Sequence, residues 1–337
     1  MLSYLFKRIL LAIITLLIIM ALSYILLRLA PGDATKSTFL GEGGGSFSAE
    51  KNELAKNSSM STYLHLEEPI YIGFLIWLKD ALINGNLGVS VAVDKGRPVL
   101  SLILERLPVT LTLNFWAIFI TYIVAIPIGI LSAVTKRKKT DSAITFFLFF
   151  LYSLPAFWIA LLLQSVLCKG GIYPIFPLKG LSIISIEGMT TWQIMAATSH
   201  YYILPIFCLT YAGFAGLSRY ARSSMTEVIK QDYIRTARSK GLSEFNVIFK
   251  HALKNSGITL ITLFAGLIPG LIGGSIIVEY VFSIPGMGDL SMLALSSRDI
   301  PLLMALFCIG GALTLLGILV ADFLYVLVDP RINFENR

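Results

Sequence analysis

The chain has 337 residues, of which 56% are hydrophobic and only 14% charged, and its mean hydropathy is +0.78. That balance excludes an ordinary soluble domain and a disordered chain, and it places the protein in the membrane class. The formal net charge of +7 sits mainly in loops between apolar stretches, so membrane topology accounts for it and nucleic acid need not be invoked.

A span needs about 20 mostly apolar residues. Six stretches qualify, at 9–29, 109–134, 143–168, 200–218, 256–281 and 302–328. The first, "KRILLAIITLLIIMALSYILLRLAPGDA", has an apolar run longer than the roughly 7–15 residues of a signal peptide and no small-x-small cleavage site. It reads as a signal anchor that stays. With the N-terminus inside, sixteen of the 27 Lys and Arg residues become cytoplasmic. They are Lys7, Arg8, Lys136, Arg137, Lys138, Lys139, eight residues from Arg219 to Lys254, Arg331 and Arg337. The short outer loops hold only Lys169, Lys179 and Arg298. The positive-inside rule therefore predicts an even number of spans with both termini in the cytoplasm.

Residues 1–30 read as the first transmembrane helix and 31–107 as one extracytoplasmic insert. The insert opens on "GDATKSTFLGEGGGSFSAEKNELAKNSSMS", a polar, glycine- and serine-rich linker that lacks the Gly-Lys-Ser/Thr ending of a phosphate loop. From Pro69 the pattern turns helical, with Ile70, Phe74, Trp77, Leu78, Ala81 and Leu82 on one face and Asn84-Gly85-Asn86 as the stop. Such a helix lies on the membrane surface or against the transmembrane core. Pro108 is expected near the first turn of the second span. The loop at 169–199, with "GGIYPIFPLKGLS" and Trp192, fits an interfacial aromatic belt.

In the fifth span Gly266, Gly270 and Gly274 recur every four residues, which lets a neighbouring backbone approach closely, and Pro269 predicts a kink. Close helix packing and a glycine-lined, moving pathway both explain that pattern. Cys168, Cys208 and Cys308 each fall in or at the end of a different span and read as small buried hydrophobes. His65, His200 and His251 show no ligand spacing, so no metal site is expected. No span carries the Asp/Glu/His chain of a proton-driven pump, and there is no nucleotide-binding or hydrolase signature. Energy for uphill transport has to come from another chain.

The longest polar segment between two spans contains "YIRTARSKGLSEFNVIFKHALKN", with Arg235, Arg238, Lys240, Lys250 and Lys254 against one carboxylate, Glu244. Between Met225 and Lys240 the apolar residues Val228, Ile229, Tyr233, Ile234 and Ala237 follow a helical period. Gly241 falls where a helix C-terminus needs a left-handed residue. Ser243 is placed to cap a second helix running through Val247, Ile248, Ala252 and Leu253. A helix–turn–helix with a small residue, Ala237, one turn before the glycine is suited to docking into a groove of another protein.

These residues resemble the permease subunits of binding-protein-dependent ABC importers, whose cytoplasmic coupling loop follows a Glu-Ala-Ala-x-x-x-Gly pattern. Arg235-Thr236-Ala237-x-x-x-Gly241 occupies that pattern without the leading Glu. The stretches "YLFKRILLAIITLL…LAPGD", "NLGVS", "ERLPVTLTLN", "SLPAFWIALLL" and "VEYVFSIPGMGDL…SRDIPLL" look like the B-type subunit of oligopeptide and dipeptide importers. "FPLKGL" and "VDPRINFE" look most like the Yej-type subgroup, which takes up oligopeptides and peptide-nucleotide antibiotics.

The resemblance implies an all-α polytopic protein of the type I (MetI-like) importer permease fold, with a five-helix core at 108–330, a coupling loop at 219–255 and a cytoplasmic tail at 331–337. It implies a non-enzymatic subunit of the bacterial inner membrane that forms half of a peptide pathway. Its expected partners are a second homologous permease, two ATP-binding subunits that carry ATP and Mg2+, and an extracytoplasmic peptide-binding protein. By the same resemblance Arg235, Thr236, Ala237, Arg238, Lys240, Gly241 and Glu244 form the coupling contact. Glu279, Pro285, Gly286, Gly288, Arg298 and Asp299 match the family's outer loop, a gate or binding-protein contact, and with Gly266, Pro269, Gly270 and Gly274 they are the pathway candidates. A self-sufficient secondary transporter or channel is the alternative. It calls for intramembrane ion-coupling residues or inverted repeats, and neither is evident.

Overall fold

The computed structural model describes residues 2–29, 62–65, 67–135, 138–178 and 191–328. The polar linker, the tail at 331–337 and the Trp192 side chain lie outside them. Among the described residues the chain is helical, with two isolated bridges (Val89 with Pro98, Cys168 with Phe176) as its only extended pairing. Among the described residues four helices are long and apolar enough to cross a membrane: Leu2–Leu29 (α1), Val99–Val134 (α3), Thr191–Ile229 (α6) and Ile300–Val328 (α13). A fifth span results if the bent pair Lys138–Ser153 (α4) and Ala156–Leu167 (α5) is taken as one.

Two expected spans are therefore not straight helices. The third breaks at Leu154-Pro155, where α4 and α5 meet at 88°. Proline lacks an N–H and pushes the residue before it out of the helical region, and the Leu154 carbonyl left open there accepts from the Tyr211 hydroxyl at 2.7 Å. The fifth splits into Leu253–Leu267 (α9), Gly270–Gly273 (α10) and Ile276–Val281 (α11). Pro269 ends the first piece, and Gly274, at φ +64°, turns the chain between the other two. The second span begins earlier than expected, at Val99, so Pro98 stands at its start and Pro108 lies well inside it. At 39 residues α6 is about 58 Å long, nearly twice the roughly 30 Å of bilayer hydrocarbon, and its polar end has to project from the membrane.

The chain divides into two compact units. One comprises residues up to 108 together with 290–315, the other 109–289 and the chain from 316 on. In the first, Ile70–Leu82 (α2) packs on α1 through Gly73, Phe74 and Trp77, and it buries Gly73, Trp77 and Ala81 while Ile70 and Leu82 stay exposed, so the buried face is narrower than the periodicity predicts. Tyr24 and Trp77 are buried side by side, and a Cβ on Gly73 would collide with the Tyr24 hydroxyl. The Trp77 indole donates to the Tyr63 hydroxyl at 2.8 Å, and Tyr63 donates to the Leu87 carbonyl at 3.1 Å. Burial pushes the Tyr63 phenol well above its ordinary pKa.

In the second unit, α6 packs against α4, α5 and α9. Cys168 and Cys208 fill one apolar cluster with Leu113, Leu204, Val278 and Phe282, and all three cysteines are buried and free. The α6 helix meets α3 closely at Gly129, where a Cβ would lie within 3.0 Å of Ala221 and Ser218.

Candidate functional site: a basic hairpin and two buried carboxylates

The helix expected to run from Met225 to Lys240 breaks at Lys230 and Gln231. A short helix, Asp232–Ser239 (α7), then begins after an extended Gln231. Its end is a Schellman turn: Leu242 N–H donates to the Ala237 carbonyl at 3.4 Å and Gly241 N–H to the Arg238 carbonyl at 2.9 Å. Gly241 sits at φ +76°, the left-handed conformation that the turn requires. Ser243 caps the next turn, Glu244–Asn246 (α8), and a π-helical stretch, Val247–Ala252, leads into α9. Across the turn Arg238 grips Glu244 with two parallel bonds, at 2.9 and 3.3 Å. Thr236 donates to the Asp232 carbonyl at 3.0 Å, and Arg235 pairs with Asp232 at 3.5 Å.

The apolar stripe of this hairpin faces inward. Ile234 and Ala237 pack with Met225, Val247, Ala252 and Ile130. Ala237 is only 6% exposed, so it is an interior residue and not the projecting knuckle that its spacing led us to expect. A helix of eight residues has a small apolar face, and both positions are needed to hold it down. What the hairpin shows to the outside is Tyr233, Leu242, Phe245 and Phe249, ringed by exposed Arg235, Lys240 and Lys250. Phe245 is 67% exposed and lies 4.6 Å, centroid to centroid, from Phe249. The helical period marks Ile234 and Ala237 correctly as inward but also includes Tyr233, which is exposed, and Phe245 and Phe249 fall outside it.

Glu279, on α11, is fully buried. Its carboxylate accepts from Gly288 N–H at 2.7 Å, Asp289 N–H at 3.3 Å, Ser275 N–H at 3.3 Å and the Thr110 hydroxyl at 3.2 Å. Gly288 and Asp289 belong to the first turn of Met287–Ser297 (α12), where unpaired N–H groups attract negative charge. A Cβ on Gly274, Gly286 or Gly288 would come within 3.0 Å of neighbouring atoms, Glu279 oxygens among them at Gly274 and Gly286. Pro285 is half-buried in the same turn, after Ser283 at φ +49°. Thr110 also accepts from Met287 N–H at 2.7 Å. Along the same helix, Asn114 donates to the Leu271 carbonyl at 2.8 Å and Tyr122 to the Leu260 carbonyl at 3.2 Å. Of these α3 side chains, Asn114 satisfies a carbonyl left open where the segment breaks after Gly273, as a backbone in lipid requires, while Thr110 and Tyr122 bind the same segment at Met287 and within α9. Sequence reading missed all three, because a polar residue on a long apolar helix is informative only once its neighbour is known to be broken.

The second buried carboxylate, Asp299, belongs to the other unit. One oxygen accepts from the Ser90 hydroxyl at 2.5 Å and from Val91, Ala92 and Val93 N–H groups at 3.0–3.1 Å. The other accepts from Leu302 N–H at 3.3 Å and so caps α13. Arg298, exposed beside it, takes φ +52° to deliver Asp299 to this position. The outer-loop residues singled out by sequence are thus mostly interior fastenings.

The expected glycine stripe of the fifth span does not form one helical face, because the helix ends before Gly270. Gly266 and Gly270 are exposed, with nothing within 4 Å of a Cβ built on Gly270. The close approach in this region is made from the opposite side, where a Cβ on Gly317 would lie 2.8 Å from Pro269 Cα.

Residues 125–334 match the family model described as the binding-protein-dependent transport system inner membrane component, and residues 1–114 match the N-terminal model for the same membrane components. The chain is 39% identical to the oligopeptide transport system permease protein AppB of Bacillus subtilis, over 99% of its length and all of the relative's. It is 34% identical to the oligopeptide transport system permease protein OppB of Haemophilus influenzae, with the same coverage. To the inner membrane ABC transporter permease protein YejB of Escherichia coli O157:H7 it is 31% identical, again over 99% of this chain and 100% of the relative.

Proposed function

Because the chain belongs to the family of binding-protein-dependent transport system inner membrane components, the multi-pass permease subunits of ABC importers, we propose that it forms half of a translocation pathway for oligopeptides or peptide-like solutes. The other half is a second, homologous permease. Two ATPase subunits, carrying ATP and Mg2+, drive the pair, and an extracytoplasmic peptide-binding protein delivers the solute. The peptide class follows the relatives named as oligopeptide permeases.

The carrying observation is the hairpin after α6. Its small apolar face is spent on its own chain, and its outer face combines Phe245, Phe249 and Leu242 with Arg235 and Lys240. An exposed aromatic cluster with a basic rim, carried beyond the end of a helix too long for the bilayer, is suited to a protein groove. We assign this face to the ATPase, with Gly241, Thr236 and the Arg238–Glu244 pair fixing its shape and Ala237 supporting it from within. The six-span topology counts α4–α5 as the third span and the broken α9–α11 segment as the fifth, with both termini cytoplasmic. Exposed Gly266 and Gly270 beside the Pro269 break suit a pathway wall or the face toward the second permease.

The test is to tag the chain in its native host, purify it in mild detergent and identify what accompanies it by mass spectrometry. A second permease and ATPase subunits are expected. A chain that emerges alone, folded, and moves solute in liposomes without ATP overturns the proposal in favour of a self-sufficient transporter.

A further inference from the structure

Where α6 leaves the apolar zone it forms, with α4, a cleft of about 1030 Å³. Arg219, Ser223 and Thr226 line it at i, i+4 and i+7 on one face of α6, and Lys230, the first residue past the helix end, closes the row, so a cation stands at each end with hydroxyls between. Thr145 and Phe149 of α4 form the opposite wall. The Arg219 guanidinium lies 5.1 Å from the centre of the Phe149 ring, which fixes its plane and leaves its N–H groups available. A third cation, Arg222, is occupied by Asp141 at 2.5 Å. Glu227 is the remaining charged group of the lining, so among the described residues two cations without a carboxylate bond face one acid. On α4 the cleft adjoins bare apolar surface, with Phe146 and Phe150 both exposed.

We infer that this cleft holds the headgroup of an anionic phospholipid, its phosphate between Arg219 and Lys230 and hydrogen-bonded by Ser223 and Thr226, its chains along Phe146 and Phe150. A phosphate needs donors of this type, and Arg is the residue that meets it bidentately. Basic pockets between transmembrane helices on the cytoplasmic side recognise anionic headgroups. The inference rests on the sidedness assigned above, which puts this end of α6 in the anionic cytoplasmic leaflet.

The test uses the assembled transporter, purified and exchanged into phosphatidylcholine nanodiscs doped with phosphatidylglycerol, with retained lipid counted after washing. Wild type is expected to keep phosphatidylglycerol. Arg219→Gln/Lys230→Gln should lose it by roughly 25-fold, about fivefold for each cation near an anionic surface. The pair Arg219→Lys/Lys230→Arg should keep it, which separates lost charge from lost folding. Equal retention by wild type and the glutamine variant overturns the inference. So does displacement of the lipid by millimolar inorganic phosphate, which would make the site one for free phosphate, or cross-linking of Ser223→Cys to an ATPase subunit, which would make it a protein interface. Labelling of Ser223→Cys by an impermeant maleimide from outside intact cells would overturn the sidedness instead, and lipid retention would still report on the cleft itself.

Discussion

The hairpin at 232–252 and the segment at 274–289 both turn the chain around a glutamate, and they use it in opposite ways. Glu244 is exposed and meets Arg238 across a Schellman turn, so water screens the pair and the turn is held mainly by Gly241 and the apolar cluster beneath. Glu279 is fully buried, and a ring of N–H and hydroxyl donors balances its charge. Removing it would strand several donors in an apolar surrounding. The first region can change partners without unfolding. The second works as a rivet, and motion there requires the whole fastening to travel together.

That contrast can be broken experimentally. The largest expected effect is on Gly286→Leu, whose side chain has to enter the space held by Glu279 and Thr110. We expect severe loss of folded protein in the membrane, read by quantitative blotting and gel filtration, and normal yield would refute the packing described. Glu279→Ala should follow, at about 1–3 kcal/mol for each donor left unpaired. A Tm of the purified complex that stays put in this variant would show that the cage carries no stability. Asp299→Ala should cost a similar amount per orphaned group, and Asp299→Asn clearly less because the amide oxygen still accepts; matching Tm values for the two would contradict the nest at Val91–Val93.

On the exposed side the effect should fall on coupling and spare stability. Phe245→Ala with Leu242→Asp should leave Tm within a degree or so while peptide uptake and its ATP dependence drop at least about tenfold, the outcome expected when a buried interface anchor is lost. Unchanged uptake at normal expression would sink the docking assignment. Ala237→Trp should behave differently and lower Tm, since that site is interior. The smallest effect belongs to Glu244→Gln, expected to cost less than about 1 kcal/mol because the pair it breaks is solvated.

Much of this protein was legible from its residues in order. Hydropathy runs located the apolar helices, since burying about 20 residues in hydrocarbon leaves a contiguous signature. The left-handed turn at Gly241 and the Ser243 cap were readable because each depends on a few adjacent residues and their own backbone. The motif order also carried the family, which the matching models bear out. Pro155 and Pro269 stood in plain view, but how far the chain bends depends on what donates to the carbonyls left open at each break. Tyr211 and Asn114 do so, to Leu154 and Leu271, from helices distant in sequence.

Two things were decided only by tertiary structure. Ala237 went inward and Phe245 outward because the hairpin closes on Met225 and Ile130, which no local pattern names. Asp299 became an interior fastening because the segment Val91–Val93, from far along the chain, brings N–H groups to it, and Glu279 because its own turn folds back to put Gly288 and Asp289 N–H groups on it while the distant Thr110 adds a hydroxyl. Sequence pattern reports which residues prefer to be buried in a helix. A buried charge is tolerable only where donors converge on it, and convergence is a property of the folded chain.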